Sequence, residues 1–300
     1  MNIIVVGQGA MGLLWYHHLA TSKVATNLSL LASSQHDTND NQYHFIDNKG
    51  VSYQGNVDFA FEAQIKSADV IFLCVKSFQI CSALTQFEKA LNSNTSIILA
   101  HNGMGTLAEL PESFIKSHNI YALLSTHGCL RNSALNITHT GIGISDIGLV
   151  SGNVATMEQQ TLASLLNKAL PKVELHQNII EKQWLKLAVN CVINPITALQ
   201  DIDNGQINDD IFTSQIARVL TELVAVAKYE NIHLDVALLT KTVKKVAAAT
   251  AKNCSSMRCD LLANKQTEIN YINGYIHKLG IKHGIDTPEN TQLWQAVLRQ

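Results

Sequence analysis

The chain has 300 residues, 46% of them hydrophobic and 15% charged, with a formal net charge of -2 and a pI near 6.6. Such a length holds one large domain or two ordinary ones, and the composition can bury a sizeable core, which excludes an intrinsically disordered chain. The balanced charge, with no run of one sign, excludes a general nucleic-acid binder.

The chain opens Met1-Asn2-Ile3-Ile4-Val5-Val6-Gly7. It has no basic leader, and the apolar run ends after four residues, so it reads as neither signal peptide nor membrane span, and no membrane partner is expected. Ile3–Val6 reads instead as a strand buried on both faces, as in a parallel sheet. Gly7-Gln8-Gly9-Ala10-Met11-Gly12 follows at once and opens a helical stretch, Met11–Ala20, that carries Leu14, Trp15 and Leu19. This is the setting that a GxGxxG dinucleotide fingerprint requires. Gly7 permits the tight turn, Gly9 admits a pyrophosphate to the backbone, and Gly12 lets the helix pack on the sheet. A glycine-rich turn without a ligand is the plain alternative.

Leu28–Leu31 is the next strand. A chain selective for NAD usually places Asp or Glu at its end, whereas this one has Ala32-Ser33-Ser34-Gln35. No acid there repels a 2′-phosphate and hydroxyls can bond one, so Ser33 is a candidate contact and the balance leans to NADP. Val70–Val75 leads into Lys76 and the helical stretch Gln79–Leu91, and Ile97–Ala100 leads into His101-Asn102-Gly103. Ligands of open α/β sheets lie beyond the carboxyl ends of strands, which makes Lys76 a candidate for phosphates and Asn102 for the nicotinamide. A solvated lysine and an Asn-Gly turn fit the same residues. Ile120–Ser125, Gly128–Leu130, Asn136–His139 and Gly143–Ile147 read as further strands of a mixed or antiparallel extension.

After His176 the texture becomes helical: Glu181–Ile193, Asp209–Glu230, Leu234–Ala251 and Lys265–His283. In the second, Ile216, Val219, Leu220, Leu223, Val224 and Ala227 recur at helical spacing. Pro195 and Pro288 are expected to bend or stop helices. The expected architecture is an N-terminal Rossmann-like α/β doubly wound sheet over 1–176 and an all-α domain over 177–300.

Within the helical half, Lys186, Asn190 and Asn194 recur every four residues on an otherwise apolar stretch and so share a face. Polar groups among apolar flanks need partners. Asn253, Ser256 and Asp260 repeat at i, i+3, i+7, and Glu268 follows; pattern alone fits caps and surface residues equally well. The cysteines Cys74, Cys81, Cys129, Cys191, Cys254 and Cys259 form no CxxC pair, which suits a reducing cytoplasm. The twelve histidines form no HExxH pattern, and the adjacent His17 and His18 should point to different helix faces, so no metal is expected.

Taken together, these residues resemble the ketopantoate reductase (2-dehydropantoate 2-reductase) family. The resemblance runs from Met1 to about Trp294. It rests on Gly7–Gly12, Lys76, Asn102-Gly103-Met104-Gly105, His139-Thr140-Gly141, Lys186–Ala198 with Asn194-Pro195, Asn204-Gly205, Ser255-Ser256-Met257 and Thr267–Gly274, then His283-Gly284-Ile285 and Pro288–Thr291. The order and spacing are more specific than any single motif. The resemblance implies NADPH-dependent reduction of 2-dehydropantoate to pantoate. It implies Lys186 as catalytic lysine, Asn102, Asn190, Asn194, Asn204, Asn253 and Ser256 at substrate positions, Glu268 as an acid touching substrate and cofactor, and Lys76 and Asn102 as cofactor contacts. The chain departs from the family at Ala32-Ser33, where arginine is frequent, at His101, where glutamine is common, and at Asn270, where an acid is common.

The implied chemistry is hydride addition to a 2-oxo acid, with an ammonium stabilising charge on the carbonyl oxygen and then donating a proton. A related reductase acting on another small 2-oxo acid and a non-catalytic NADP-binding sensor are the alternatives; the sensor should have lost Lys186 and Glu268, which are both present. A monomer and a homodimer are equally compatible with the sequence.

Overall fold

The structure is a computed structural model that describes residues 1–32 and 41–300, so Ser33 lies outside the described residues. The chain divides into two compact units, one of Met1–His101 with Leu107–Ile179 and one of Asn102–Thr106 with Ile180–Gln300. No described helix is long and apolar enough to cross a membrane.

The first unit begins with strand β1 (Asn2–Val6), helix α1 (Ala10–Ser22) and β2 (Asn27–Leu31), then β3 (Gln42–Ile46), β4 (Ser52–Asn56) and α2 (Glu62–Lys66). β5 (Val70–Leu73), α3 (Ile80–Phe87), β6 (Ser96–Leu99), α4 (Glu112–Ser117) and β7 (Asn119–Ser125) follow. It closes with β8 (Gly128–Ser133), β9 (Asn136–Gly141), β10 (Ser145–Ser151), α5 (Thr156–Ala169) and β11 (Val173–Leu175). The main sheet has the order β11-β10-β7-β6-β5-β1-β2. β2, β1, β5, β6 and β7 are parallel, while β10 runs antiparallel to β7.

Period-2 alternation explains why this sheet is wound on both faces. Ile3, Val5, Val70, Phe72, Ile98, Tyr121 and Leu123 join one core with Trp15 and Leu19 of α1 and Leu162 and Leu166 of α5. The intervening Ile4, Val6, Ile71, Leu73, Ile97, Leu99 and Ile120 join the other, with Ile65 of α2, Ile80 and Leu84 of α3 and Phe114 of α4. The strand expected to reach Val75 ends at Leu73, although the Cys74 N–H still reaches Val6 O at 2.8 Å. The strand expected at Gly143–Ile147 begins instead at Ser145, where Ser145 pairs with Ser125 of β7.

A second sheet has the order β4-β3-β9-β8. Its hairpin β3–β4 takes the place of the strand that would follow β2 in an unbroken doubly wound order. Tyr43 and Phe45 of β3 bury against α1, where the rings of His17 and Phe45 stack at 3.8 Å. His17 and His18 both reach the Phe45 ring from their different directions: the His18 ring lies 5.5 Å from Phe45 and 5.9 Å from His139. Neighbours on a helix differ by only about 100°, and the broad Phe45 ring reaches both.

The second unit is helical: α6 (Ile179–Gln200), α7 (Thr213–Tyr229), α8 (Val236–Ala249), α9 (Ser256–Leu262), α10 (Asn273–His283) and α11 (Pro288–Leu298). Its core gathers Leu187, Cys191 and Val192 of α6 with Ile216, Val219, Leu220 and Leu223 of α7, Val243 of α8, Ile276 of α10 and Leu293 of α11.

Neither proline stops a helix. α6 runs on through Pro195. Proline has no N–H for the carbonyl four residues earlier, here Cys191 O. That carbonyl accepts instead from Asn273 Nδ2 at 3.0 Å, so the interruption is satisfied from the side. Pro288 starts a helix rather than stopping one. The first free N–H groups of α11, at Glu289 and Asn290, are taken by the Glu222 carboxylate at 2.8 and 2.9 Å.

The single helix expected over Lys265–His283 is also broken. Ile269–Tyr271 forms a 3₁₀ turn, and α10 begins only at Asn273. The Tyr271 carbonyl, which a continuous helix would spend on Tyr275 N–H, accepts from Met104 N at 2.8 Å instead.

Candidate active site

In the first unit the glycine fingerprint forms the turn between β1 and α1. Gly7 has φ +104°, and a Cβ there would lie 2.8 Å from Cys74 O and from Val75 Cγ1, so both backbone and space demand glycine. At Gly12 a Cβ would fall 1.9 Å from Gly7 O, which explains the close seating of α1. Gly9 differs: a Cβ there would meet only Cys74 O, at 3.9 Å, so nothing in the protein itself requires glycine. Gly9 caps α1 without a side-chain hydrogen bond, and the first turn holds no acid. The exposed N–H groups and the positive end of the helix dipole therefore favour an anion.

Gln8 Oε1 is buried without a hydrogen-bond partner beside this turn. Ala10 contributes backbone, its carbonyl accepting from Cys129 Sγ at 3.4 Å, and Met11 packs its side chain against the core. Lys76 follows β5 in extended conformation, and its N–H bonds Gln79 Oε1 at 3.1 Å, which opens a 3₁₀ turn at Ser77.

The second unit brings Asn102 and Glu268 together. Asn102 N and Nδ2 donate to Glu268 Oε1 and Oε2 at 3.4 and 3.2 Å, and Glu268 is buried. The glycines beside Asn102 explain the approach. Gly103 (φ +82°) lies where a Cβ would be 2.3 Å from Tyr271 O, and Gly105 (φ +99°) where it would be 2.8 Å from Tyr275 Cδ2. Both the backbone N–H and the side-chain amide of Asn102 thus bond the acid.

Lys186, Asn190 and Asn194 lie on α6, which continues past Asn194, so the three occupy one face. Asn190 Nδ2 is buried without a hydrogen-bond partner, and Asn194 is buried. Ser256 is exposed at the first position of α9, and its neighbour Ser255 is the buried N-cap, accepting from Arg258 N at 3.2 Å. Thr197 Oγ1 lies 2.7 Å from Ser255 Oγ, and Arg258 grips Asp201 and Asp203 at 2.8 and 2.6 Å, so the start of α9 is tied to the end of α6. Asn204 is buried, and its N–H bonds Asn253 O at 3.1 Å. The Asn204 side chain donates to Thr250 Oγ1 at 3.1 Å, with its Oδ1 buried and unpartnered. Asn253 is exposed and joins this arrangement through its backbone. Asn270, where the family often has an acid, accepts from Trp294 Nε1 at 2.7 Å.

Sequence reasoning missed Thr197, Ser255, Asn273 and Asn290, which hold the site's helices rather than facing solvent. A signal existed for one of them: Pro195 inside an apolar helix announces a carbonyl in need of a donor. Among the described residues, Asp146, Glu174 and His176 bring metal-ligating atoms within 4.8 Å of one another on β10 and β11. His176 Nε2 is already hydrogen-bonded to Asp146 Oδ1 at 2.5 Å while Glu174 is exposed.

Two family models match the chain. One, described as ketopantoate reductase PanE/ApbA, covers residues 3–152, and the other, described as its C-terminal part, covers residues 178–300. The chain is 34% identical to the 2-dehydropantoate 2-reductase of Vibrio cholerae over 299 residues, covering 99% of this chain and 97% of that protein. It is 33% identical to that of Yersinia pestis over 308 residues, covering 100% and 95%. Among solved structures, a D-mandelate dehydrogenase with NADH and anilino(oxo)acetate superposes with a TM-score of 0.89 at 22% identity, covering 100% of this chain and 98% of that one. A PanE/ApbA family ketopantoate reductase from Ralstonia eutropha gives 0.84 at 24% identity over the same shares.

Proposed function

Since the chain belongs to the ketopantoate reductase family, we propose that it reduces 2-dehydropantoate to (R)-pantoate with NADPH, a step towards pantothenate and coenzyme A. The observation that carries this reading is likeness along the whole chain to 2-dehydropantoate 2-reductases, with the lysine and the acid of the implied chemistry both present. The free thiols of all six cysteines accord with a cytoplasmic setting.

The glycine turn fits a dinucleotide. Glycine at position 9, unexplained by protein contacts, suits a pyrophosphate against the backbone, and the uncapped start of α1 suits its charge. Gly7, Gln8, Gly9, Ala10, Met11 and Gly12 would form this contact, with Lys76 at the phosphates. Bound NADPH supplies the hydride. Lys186 stabilises the negative charge that grows on the carbonyl oxygen and then gives that oxygen a proton. Glu268, held by Asn102, accepts from the hydroxyl so formed or from the substrate's own hydroxyl. Asn190, Asn194, Asn204, Asn253 and Ser256 offer neutral hydrogen bonds to a carboxylate and hydroxyl.

The test is loss of nicotinamide absorbance with ketopantoate as substrate, alongside a panel of other 2-oxo acids. Turnover with ketopantoate and a higher kcat/KM with NADPH than with NADH are expected. A better substrate elsewhere in the panel would move the chain to a neighbouring activity.

Two smaller predictions arise here. Gly9→Ala places a methyl group where the protein has room, so thermal stability should hold while the KM for NADPH rises by more than about tenfold. A variant with normal NADPH affinity would show that this turn does not hold the pyrophosphate. Ser256→Ala removes one neutral hydrogen bond made equally to substrate and transition state. It should raise KM for ketopantoate about fivefold, the equivalent of ~1 kcal/mol, and leave kcat nearly unchanged. A fall in kcat with constant KM would contradict that role.

A further inference from the structure

We infer that Asn273 is a positioning residue for this reaction: it sets the register between the segment that carries Glu268 and the helix that carries Lys186, Asn190 and Asn194. The inference rests on the function proposed above and adds a residue to it.

Asn273 is fully buried at the start of α10, five residues after Glu268. Its Nδ2 donates to Cys191 O on α6 at 3.0 Å and to Asn290 Oδ1 at 3.0 Å. The direction of the second bond follows from its surroundings. Asn290 spends its own amide N–H groups on Val219 O at 3.1 Å and Glu222 Oε2 at 2.8 Å, both acceptors, so it must present its oxygen to Asn273. Asn273 must then present its NH₂ group, and the Cys191 carbonyl receives the other hydrogen.

That carbonyl is available because Pro195 has no N–H to give it. It lies one residue after Asn190 and three before Asn194, in the middle of the polar stripe. The proline therefore opens an acceptor in the lysine helix, and the acid's own segment supplies the donor. Asn290 and Glu222 anchor that donor to α11 and α7, so the tie cannot swing without breaking buried hydrogen bonds. Misplacement of reacting groups by about 1 Å can cost on the order of 10²-fold in rate.

A structural role alone would consist of satisfying a buried carbonyl, and a second substitution separates the two. In Pro195→Ala the backbone N–H of residue 195 can serve Cys191 O, so Asn273 is no longer needed by that carbonyl but still serves Asn290 Oδ1 and ties the two segments. Asn273→Ala should lower kcat/KM for ketopantoate by at least about tenfold, with KM for NADPH within about twofold of wild type. The double variant Asn273→Ala/Pro195→Ala should recover part of the melting temperature lost in Asn273→Ala, Asn290 Oδ1 still lacking its donor, yet keep the tenfold deficit in kcat/KM relative to Pro195→Ala. Recovery of kcat/KM in the double variant to the Pro195→Ala value would overturn the inference, as would an Asn273→Ala enzyme of wild-type kcat/KM. So would a double variant that fails to fold while Pro195→Ala folds, since the tie would then hold the fold and not the register. A wild-type chain that does not turn over ketopantoate would instead refute the underlying function.

Discussion

Lys186→Ala should lower kcat for ketopantoate reduction by about 10²–10⁴-fold, the usual contribution of a general acid. Two effects act together. The alanine neither neutralises the oxyanion nor supplies the proton, and water must do both from a less ordered position. Lys186 belongs to the helical unit, whereas the glycine turn lies in the other, so KM for NADPH should move little. Lys186→Arg sharpens the test. A guanidinium keeps the charge but does not release a proton near neutral pH, so a rate recovered by arginine would assign the residue to electrostatics alone. Near wild-type turnover in Lys186→Ala, measured under saturating substrate, would leave the lysine without a chemical role.

Acid should unfold the first unit, and the histidines between α1 and the second sheet should be the reason. His17, His18 and His127 are each held at a pKa of about 4, first by burial and then, for His18 and His127, by neighbouring histidines. For His17, Asp47 opposes that shift in part. His139 is lowered as well, again by burial. Gly143 N–H donates to His127 Nδ1 at 3.2 Å, a nitrogen that also lies 3.2 Å from His139 Nε2, and Tyr43 OH lies 3.1 Å from His17 Nδ1. This geometry holds neutral rings.

An unfolded histidine binds its proton near pH 6.5, while the folded ones wait until about pH 4. Between those values the unfolded chain carries more protons, so stability is complete above about pH 6.5 and falls as pH drops. Each of His17, His18 and His127 adds a slope of at most about 1.4 kcal/mol per pH unit within that window, less where solvent screens the ring. The three act in the same direction, and the lowered His139 adds to them, so their slopes reinforce one another. Urea titrations at several pH values between 7.5 and 4.5, on this protein and on His17→Phe/His127→Phe, would measure the slope. An unchanged slope in the double variant would place the acid sensitivity elsewhere.

Much of the fold was legible because burial on both faces leaves unbroken apolar runs. Ile3–Val6 and Ile97–Leu99 could be read directly, and the α7 stripe likewise. β4 escaped because Ser52–Asn56 is polar and mostly exposed and is held only by pairing with β3, and β11 because three residues carry too little pattern. The helix breaks were misplaced where another part of the chain supplies the hydrogen bond: Asn273 carries α6 past its proline, and Met104 halts a helix at Tyr271. Neither partner lies within ten residues of the site it changes, so no local window contains the cause. For the candidate site, Lys186, Asn190 and Asn194 announced themselves as polar residues on an apolar helix, whereas the pairing of Asn102 with Glu268 spans 166 positions.

The short excursion Asn102–Thr106 has a consequence for how such a chain can be shuffled or dissected. A piece cut at the family-model boundary, residues 178–300, would keep Lys186 and Glu268 but lose the strap that pairs with Glu268. Glu268 would face Asn102's absence, and the Tyr271 carbonyl would have no Met104 N–H to end the helix before it. Each loss leaves a polar group to be solvated or buried alone. Recombination between relatives is constrained in the same way. Gly103 and Gly105 tolerate only a backbone and a ring shaped like those of Tyr271 and Tyr275, so 102–106 and 267–275 must be inherited as one block although 160 residues of gene separate them. The heritable module here is a pair of distant segments.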